Sequence, residues 1–151
     1  MVHPCCRRRA GCLWSLPLTL LLAVGCAGLP QGLPRPVSTA LPASANTTLG
    51  RLAQASAPGD PTLSGMRLLS WSAQALAARI ELARRAERSL DVQYYVIHDD
   101  ATGRHLLRAL RDAAARGVRV RLLVDDLYTA DTDAVLAGLA AYPNVEVRLF
   151  N

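Results

Sequence analysis

Helix-type and strand-type hydrophobic patterns alternate along the second half of the chain, and this alternation constrains the fold more than any other feature. The predicted elements are, in order, helix 72–88, strand 90–97, helix 103–116, strand 118–124, helix 131–141 and strand 145–149. Short connections between consecutive strands and helices favour right-handed crossovers and a parallel sheet. The sequence therefore predicts an α/β fold built on a βαβαβ parallel-sheet unit.

The first 26 residues combine a basic start, an apolar stretch and a cysteine. Arg7 to Arg9 precede the apolar stretch Leu13 to Val24, which ends in small residues directly before Cys26. Because small residues fit a signal peptidase and a thiol accepts lipid, this order resembles the lipobox of bacterial lipoproteins. We predict a signal peptide over 1–25 and an acylated Cys26. The alternative is ordinary cleavage after a small residue, with the cysteine incidental.

Removal of this leader would change both the cysteine count and the expected location. Three of the four cysteines precede residue 25, so the mature chain would keep Cys26 alone, and no disulfide or cysteine-based zinc site is expected. Ala27 is not the aspartate that retains enterobacterial lipoproteins in the inner membrane. We therefore expect a lipid-anchored protein of the bacterial cell envelope, at the outer membrane and facing the periplasm.

The charged residues exclude some chemistry and give little indication of a partner. The 17 basic residues exceed the 12 acidic ones, but three arginines would leave with the leader, so we do not infer a nucleic-acid partner. Every basic residue is arginine. The chain therefore cannot form a P-loop, a lysine Schiff base or a phosphate site of the His-x-Lys type.

Residues 26–63 differ in composition from the part that follows. They are rich in proline, alanine, serine and threonine, and they show no sustained periodicity. Such a composition is typical of a disordered linker, so we interpret the segment as a tether behind the acylated cysteine. The folded part is then expected over 64–151.

Polar residues follow each predicted strand, at the edge where parallel sheets bind ligands. They are His98, Asp99 and Asp100 after the first strand, Asp125 and Asp126 after the second, and Asn151 after the third. In a purely structural interpretation, Asp99 or Asp100 caps the second helix, Asp131 caps the third, and the pair at 125 and 126 forms a turn. Gly103 is then a helix start and nothing more specific.

Two functional interpretations compete with the structural one. The carboxylates at adjacent strand ends could hold Mg²⁺. Alternatively, they border a pocket whose catalytic groups come from elsewhere in the protein. The candidate residues for this pocket rim are Tyr94, His98, Asp100, Asp125 and Asp126.

Several segments, taken in order, resemble the opening of the phospholipase D superfamily. They are AERSLDVQYY at 86–95, HDDATG at 98–103, AARGVRVRLLVDD at 114–126 and PNVEVRLFN at 143–151. The resemblance covers residues 66–151, and it is closest to the cardiolipin-synthase-like lipoprotein branch of bacteria. It identifies 64–151 as an incomplete N-terminal lobe of a phospholipase-D-type fold.

This resemblance implies a two-lobed enzyme with one H-x-K-x-x-x-x-D motif in each lobe. One histidine attacks a phospholipid phosphodiester to form a phosphohistidine, and the other protonates the leaving alcohol, with no metal or cofactor required. The lysines bind phosphate oxygens, and an acceptor alcohol or water releases the phosphatidyl group. The implied partners are a phospholipid substrate in a membrane and a C-terminal lobe that this chain lacks.

Neither motif occurs in the 151 residues, so no catalytic residue of the family maps onto this chain. We expect the chain by itself to be inactive, as the N-terminal piece of a longer phosphatidyltransferase. One alternative is a phosphodiesterase or nuclease of the same superfamily. Another is a non-catalytic envelope lipoprotein that binds lipid or a protein partner.

Overall fold

The structure is a computed structural model that describes residues 32, 34, 36–60, 62–127 and 129–150. The chain divides into two compact units, 1–38 and 39–151. The predicted signal peptide, Cys26 and Asn151 lie outside the described residues. Within the described part of the chain, no helix is both long enough and apolar enough to cross a bilayer.

A three-stranded parallel sheet forms the centre of the second unit. Its strands are β1 (Ser89–Tyr94), β2 (Arg119–Asp125) and β3 (Val145–Phe150), in the spatial order β1-β2-β3. Both neighbouring pairs are parallel, so β2 is the central strand and each connection is a crossover through a helix. The predicted α/β class and the βαβαβ order are confirmed.

Within the described residues, four α-helices accompany the sheet. They are α1 (Thr48–Ala55), α2 (Ser72–Arg85), α3 (Ala101–Ala115) and α4 (Asp133–Ala140), with a 3₁₀ turn at Ala130–Thr132 before α4. Helix α3 connects β1 to β2, and α4 connects β2 to β3. Helix α2 packs against α3, while α3 and α4 pack against the sheet.

The hydrophobic core lies between one face of the sheet and these helices. Alternate residues of the central strand, Val120, Leu122 and Val124, are almost completely buried, as are Leu110 and Ala113 of α3. Because successive side chains of a strand point to opposite faces, this alternation places the strand's arginines on the other face. The period-2 pattern in the sequence therefore encodes which face of β2 is apolar.

A row of charged residues crosses the other face of the sheet. Asp91, Arg121 and Glu146 occupy equivalent positions on β1, β2 and β3. Arg121 Nε donates a hydrogen bond to Asp91 Oδ1 at 2.6 Å, and this bond lowers the pKa of the Asp91 carboxyl. Arg148 also donates to Glu146 on the same strand.

Two long-range side-chain contacts fix the ends of the helices. The guanidinium of Arg116 donates to the carbonyl oxygens of Ala83 and Arg84 at the end of α2, at 2.9 and 3.0 Å. Since the last carbonyls of a helix lack intrahelical partners, a cation there completes their hydrogen bonding.

Asn144 makes the corresponding contact at the other end of the turn between α3 and β2. Its Nδ2 donates to the carbonyl oxygens of Ala114 and Val118, both at 2.8 Å. Gly117 lies between these two residues with a φ of 90°, in the left-handed conformation that glycine commonly adopts directly after a helix. One side chain therefore ties the start of β3 to the turn that begins β2.

The structure differs from the sequence predictions inside the segment interpreted as a tether. Residues Thr48–Ala55 form helix α1, and the hydroxyl of Thr47 accepts a hydrogen bond from the N–H of Gly50 at 3.0 Å. Thr48 N–H also donates to Glu87 Oε1 at 2.7 Å. A threonine cap and this contact with the folded part organise a helix too short to give a clear periodic signal.

The first strand is shorter than predicted. It ends at Tyr94 instead of residue 97, and the next side chain, Tyr95, is 63% exposed. Ile97 is nevertheless 3% exposed, because the loop turns its side chain back into the core. The continuous apolar run at 96 and 97 therefore reflects burial of a loop and not a longer strand.

Candidate functional site

The carboxyl ends of the three strands bring the predicted rim residues to one edge of the sheet. Tyr94 pairs with Val124 at the end of β1, and Asp125 pairs with Phe150 at the end of β2. The loop into α3 begins beside Tyr94 and carries His98 and Asp100. In a parallel α/β sheet this edge is the ordinary location of a ligand site.

Asp100 is the N-cap of α3. Its carboxylate accepts a hydrogen bond from the backbone N–H of Gly103 at 2.8 Å, and its carbonyl oxygen accepts one from Arg104 N–H at 2.9 Å. The cap satisfies N–H groups that the first helical turn leaves without partners. The structural interpretation of this residue is confirmed, and the helix begins two residues earlier than predicted.

Gly103 has a more specific role than a helix start. A Cβ at this position would lie 2.0 Å from the backbone oxygen of His98 and 3.2 Å from a methyl of Ile97. The loop before α3 therefore packs directly on the helix backbone, which only glycine permits. His98 itself keeps an exposed imidazole at this edge.

Asp99 pairs with an arginine of the same chain. Arg104 donates from Nε to Asp99 Oδ1 at 2.6 Å and from a terminal nitrogen to Oδ2 at 3.0 Å. This two-bond contact lowers the pKa of the Asp99 carboxyl. Its negative charge is therefore already compensated within the chain.

Two hydrogen bonds from backbone N–H groups hold the end of β2. Asp125 Oδ1 accepts a hydrogen bond from Leu127 N–H at 3.0 Å, and Asp126 N–H donates to the carbonyl of Phe150 at 3.1 Å. The predicted turn at these aspartates is confirmed. The bond from Asp126 extends the backbone hydrogen bonding between β2 and β3 one residue beyond the end of β2.

Two buried threonines, which the sequence analysis did not single out, organise the loop behind this turn. Thr129 Oγ1 donates to the carbonyl of Asp125 at 2.7 Å, and Thr132 Oγ1 donates to the carbonyl of Thr129 at 2.7 Å. Both residues are fully buried. The sequence offered one indication of these bonds, which is the spacing of three residues between the threonines in a polar loop. Threonine hydroxyls often bond to backbone groups a few residues away.

The prediction that Asp131 caps the third helix is wrong. Asp131 is exposed within the 3₁₀ turn, and Thr132 occupies the N-cap position of α4. The buried hydroxyl of Thr132 bonds back to Thr129. The turn that ends in this bond displaces the helix start beyond the aspartate.

The carboxylates at this edge of the sheet are engaged with groups of the chain itself. Across the residues that the structure describes, no three His, Cys, Asp or Glu side chains lie close enough together to hold an ion. The carboxylates of Asp99, Asp100 and Asp125 instead accept hydrogen bonds from the chain's own N–H groups. These hydrogen bonds hold the loops at the carboxyl ends of β1 and β2.

Comparison with known proteins identifies the family of this chain. The family model described as "Cardiolipin synthase, PLD-like domain" matches residues 79–149, which span all three strands. The sheet and this match define the chain as a member of the phospholipase D superfamily. Within that superfamily it belongs to the cardiolipin-synthase-like group.

Individual relatives show the extent of the likeness. Cardiolipin synthase C of Escherichia coli is 51% identical over 104 residues, which are 67% of this chain and 22% of that protein. Cardiolipin synthase A of Pseudomonas fluorescens is 32% identical over 85 residues, 56% of this chain and 18% of the relative. An uncharacterized protein of Helicobacter pylori is 32% identical over 134 residues, 89% of this chain and 27% of the relative. The chain thus spans about a quarter or less of the length of these relatives.

Proposed function

We propose that this chain provides the N-terminal part of the first lobe of a phosphatidyltransferase of the cardiolipin synthase type. The observation that carries the proposal is the 51% identity with Cardiolipin synthase C of Escherichia coli. The substrate in this proposal is a phospholipid phosphodiester. The acceptor is the hydroxyl of a second glycerolipid.

The reaction would proceed in two displacements on phosphorus. A histidine attacks the phosphodiester, the bond to the alcohol breaks, and a second histidine gives its proton to that alcohol. The acceptor hydroxyl then attacks the phosphohistidine, loses its proton to the second histidine, and takes the phosphatidyl group. Because the chain contains no lysine, the H-x-K-x-x-x-x-D motifs for these steps would lie outside its 151 residues.

The residues of this chain would shape the border of the reaction pocket. Asp100 and Asp125 bond to backbone N–H groups, so their role is to hold the loops at the ends of β1 and β2. Tyr94, His98 and Asp126 complete the proposed rim at the same edge.

The test begins with the coding DNA beyond the codon for Asn151. We expect a continuation, in the same or a shifted reading frame, that encodes H-x-K-x-x-x-x-D and later a second copy. The product of the continuous gene, expressed in bacteria without their own cardiolipin synthases, should restore cardiolipin in extracted lipids. The matched control replaces the first motif histidine with alanine and should restore none.

Other results of this experiment would overturn the proposal in different ways. Accumulation of phosphatidic acid without cardiolipin would identify a phosphodiesterase. A stop codon after Asn151 with no motif in any nearby frame would remove enzymatic activity from the chain. The non-catalytic lipoprotein would then be the remaining interpretation.

We also propose that Cys26 carries the lipid that anchors the protein to the bacterial envelope, with the domain facing the periplasm at the outer membrane. The support is the order of Arg7–Arg9, the apolar stretch and the small residues before the cysteine. A fully processed lipoprotein cysteine is expected to carry three acyl chains. Stable membrane attachment requires only two lipid or electrostatic signals, so these chains would suffice.

Acyl labelling in a Gram-negative host tests the anchor. The full chain should incorporate labelled palmitate and fractionate with the outer membrane, whereas Cys26→Ala should do neither. Cys12→Ala is the matched control, because it removes a cysteine of the predicted leader, and it should label normally. Equal labelling of the Cys26→Ala variant would contradict the proposal.

A further inference from the structure

A groove of about 460 Å³ lies between α3 and α4, on the helical side of the sheet. Its apolar floor includes the side chains of Leu107, Val135, Leu139 and Tyr142. Three arginines at helical spacing, Arg104, Arg108 and Arg111, line its α3 side. We call this surface the Arg108 groove. It combines an apolar floor with a wall of three arginines, one of which pairs with the carboxylate of Asp99 in the same lining.

The three arginines differ in their partners. Arg104 pairs with Asp99 at 2.6 Å, and Arg111 pairs with Asp112 at 2.7 Å. The side chain of Arg108 makes no hydrogen bond or ion pair with any residue in the described part of the chain. The central arginine of the row therefore keeps its full positive charge and all of its donors available.

We propose that the Arg108 groove binds an anionic phospholipid at a membrane surface, with the lipid phosphate on Arg108. A guanidinium offers two parallel N–H groups that match two phosphate oxygens. The floor of Leu107 and Leu139 would receive the start of an acyl chain, which a free phosphate does not possess. The groove lies on the helix face and its lining includes none of the proposed rim residues, so this lipid is a surface contact and not the substrate.

Site-resolved photolabelling tests the proposal on the full chain. Vesicles of phosphatidylglycerol that carry a diazirine near the headgroup are mixed with the protein, irradiated and removed, and the protein is digested with trypsin. We expect the label within residues 135–142, recovered in the peptide 122–148. The peptide 80–84 on α2 provides the internal reference, since any binding through the leader affects both peptides equally.

Two variants address charge and shape separately. Arg108→Gln should lower labelling of 135–142 about fivefold, as expected for one arginine near an anionic surface. Gly138→Phe should lower it without any change in charge, because open space surrounds the Cβ position of this helical glycine. Arg88→Gln is the matched control, because Arg88 is exposed, does not line the groove and bounds neither tryptic peptide, and it should leave the labelling unchanged.

The following results would overturn the proposal. Equal labelling of 135–142 from phosphatidylcholine vesicles would show that lipid charge has no part in binding. Suppression by excess inorganic phosphate would identify a free-phosphate site instead of a lipid site. Neither readout depends on cardiolipin formation, so the groove and the proposed transferase can fail independently.

Discussion

The carbonyl oxygen of His98 lies where a side chain at Gly103 would begin. A Cβ on Gly103 would stand 2.0 Å from that oxygen, well inside any van der Waals contact. This approach presses the loop that carries the exposed imidazole onto the first turn of α3. The position of one rim residue therefore depends on the absence of a side chain five residues later.

Gly103→Ala should destabilise the fold. The added methyl must displace a backbone carbonyl, at a cost of about 1–3 kcal/mol, which exceeds the gain of about 1 kcal/mol from replacing a helical glycine. Urea unfolding of the full chain, followed by circular dichroism, measures the difference. Gly138→Ala is the matched control, because nothing lies within 4 Å of its Cβ position, and it should raise stability. Equal effects at the two glycines would refute the packing argument.

Asp100→Ala should lower the free energy of unfolding by about 1 kcal/mol, the usual cost of losing an N-cap. Asp100→Asn keeps an oxygen for the N–H of Gly103 and should recover most of that loss. The neighbouring Asp99→Ala removes only an exposed ion pair and should have a smaller effect. Urea midpoints of the three variants decide the order, and the opposite order for the two alanine variants would rule out Asp100 as the cap.

Asn144→Ala should lower stability by about 1–2 kcal/mol, because two carbonyl oxygens lose their shared donor. Asn144→Asp keeps the shape but places a carboxylate beside those oxygens, so it should destabilise at least as much. Asn46→Ala, at an exposed position, serves as the control. Amide hydrogen exchange should accelerate in the turn between α3 and β2. Unchanged exchange there would argue against the bridging role.

The pair of Asp91 and Arg121 should make stability depend on pH in the acidic range. The hydrogen bond holds the folded-state pKa of Asp91 below its usual 3.8, so the pair stabilises the fold above that value. Stability is then lost as the pH falls through the lowered pKa. Asp91→Asn should therefore be less stable than the parent at neutral pH, and the gap should narrow at about pH 3.

Urea midpoints at the two pH values measure this gap. Asp112→Asn removes an exposed carboxylate that pairs with its neighbour Arg111, and it is the matched control. A gap for Asp91→Asn that stays constant with pH would show that the carboxylate charge does not stabilise the sheet.

The central strand could be predicted because its apolar residues alternate with period two. Val120, Leu122 and Val124 are separated by polar or less buried positions, and this pattern alone indicates which face of β2 meets the helices. The capping role of Asp100 was also accessible, since an aspartate before an amphipathic helix has a known local geometry.

Contacts between distant parts of the chain, and the burial of polar loop residues, could not be predicted in this way. Arg116 is 32 and 33 residues from the carbonyls that it bonds, and nothing in its neighbourhood distinguishes it from other surface arginines. Thr129 and Thr132 stand in a polar loop, where composition indicates exposure, yet their hydroxyls are buried against backbone oxygens. The tertiary fold determines which carbonyl oxygens Arg116 meets and whether the two threonines are buried.

The charged row across the sheet has a consequence for how the strands find one another. A shift of one residue between β1 and β2 would set Arg121 against an apolar side chain of the opposite face. A shift of two would place it opposite Ser89 or Gln93, without its carboxylate partner. The observed alignment brings opposite charges together on all three strands. The row thus disfavours one-residue shifts of register as the sheet assembles.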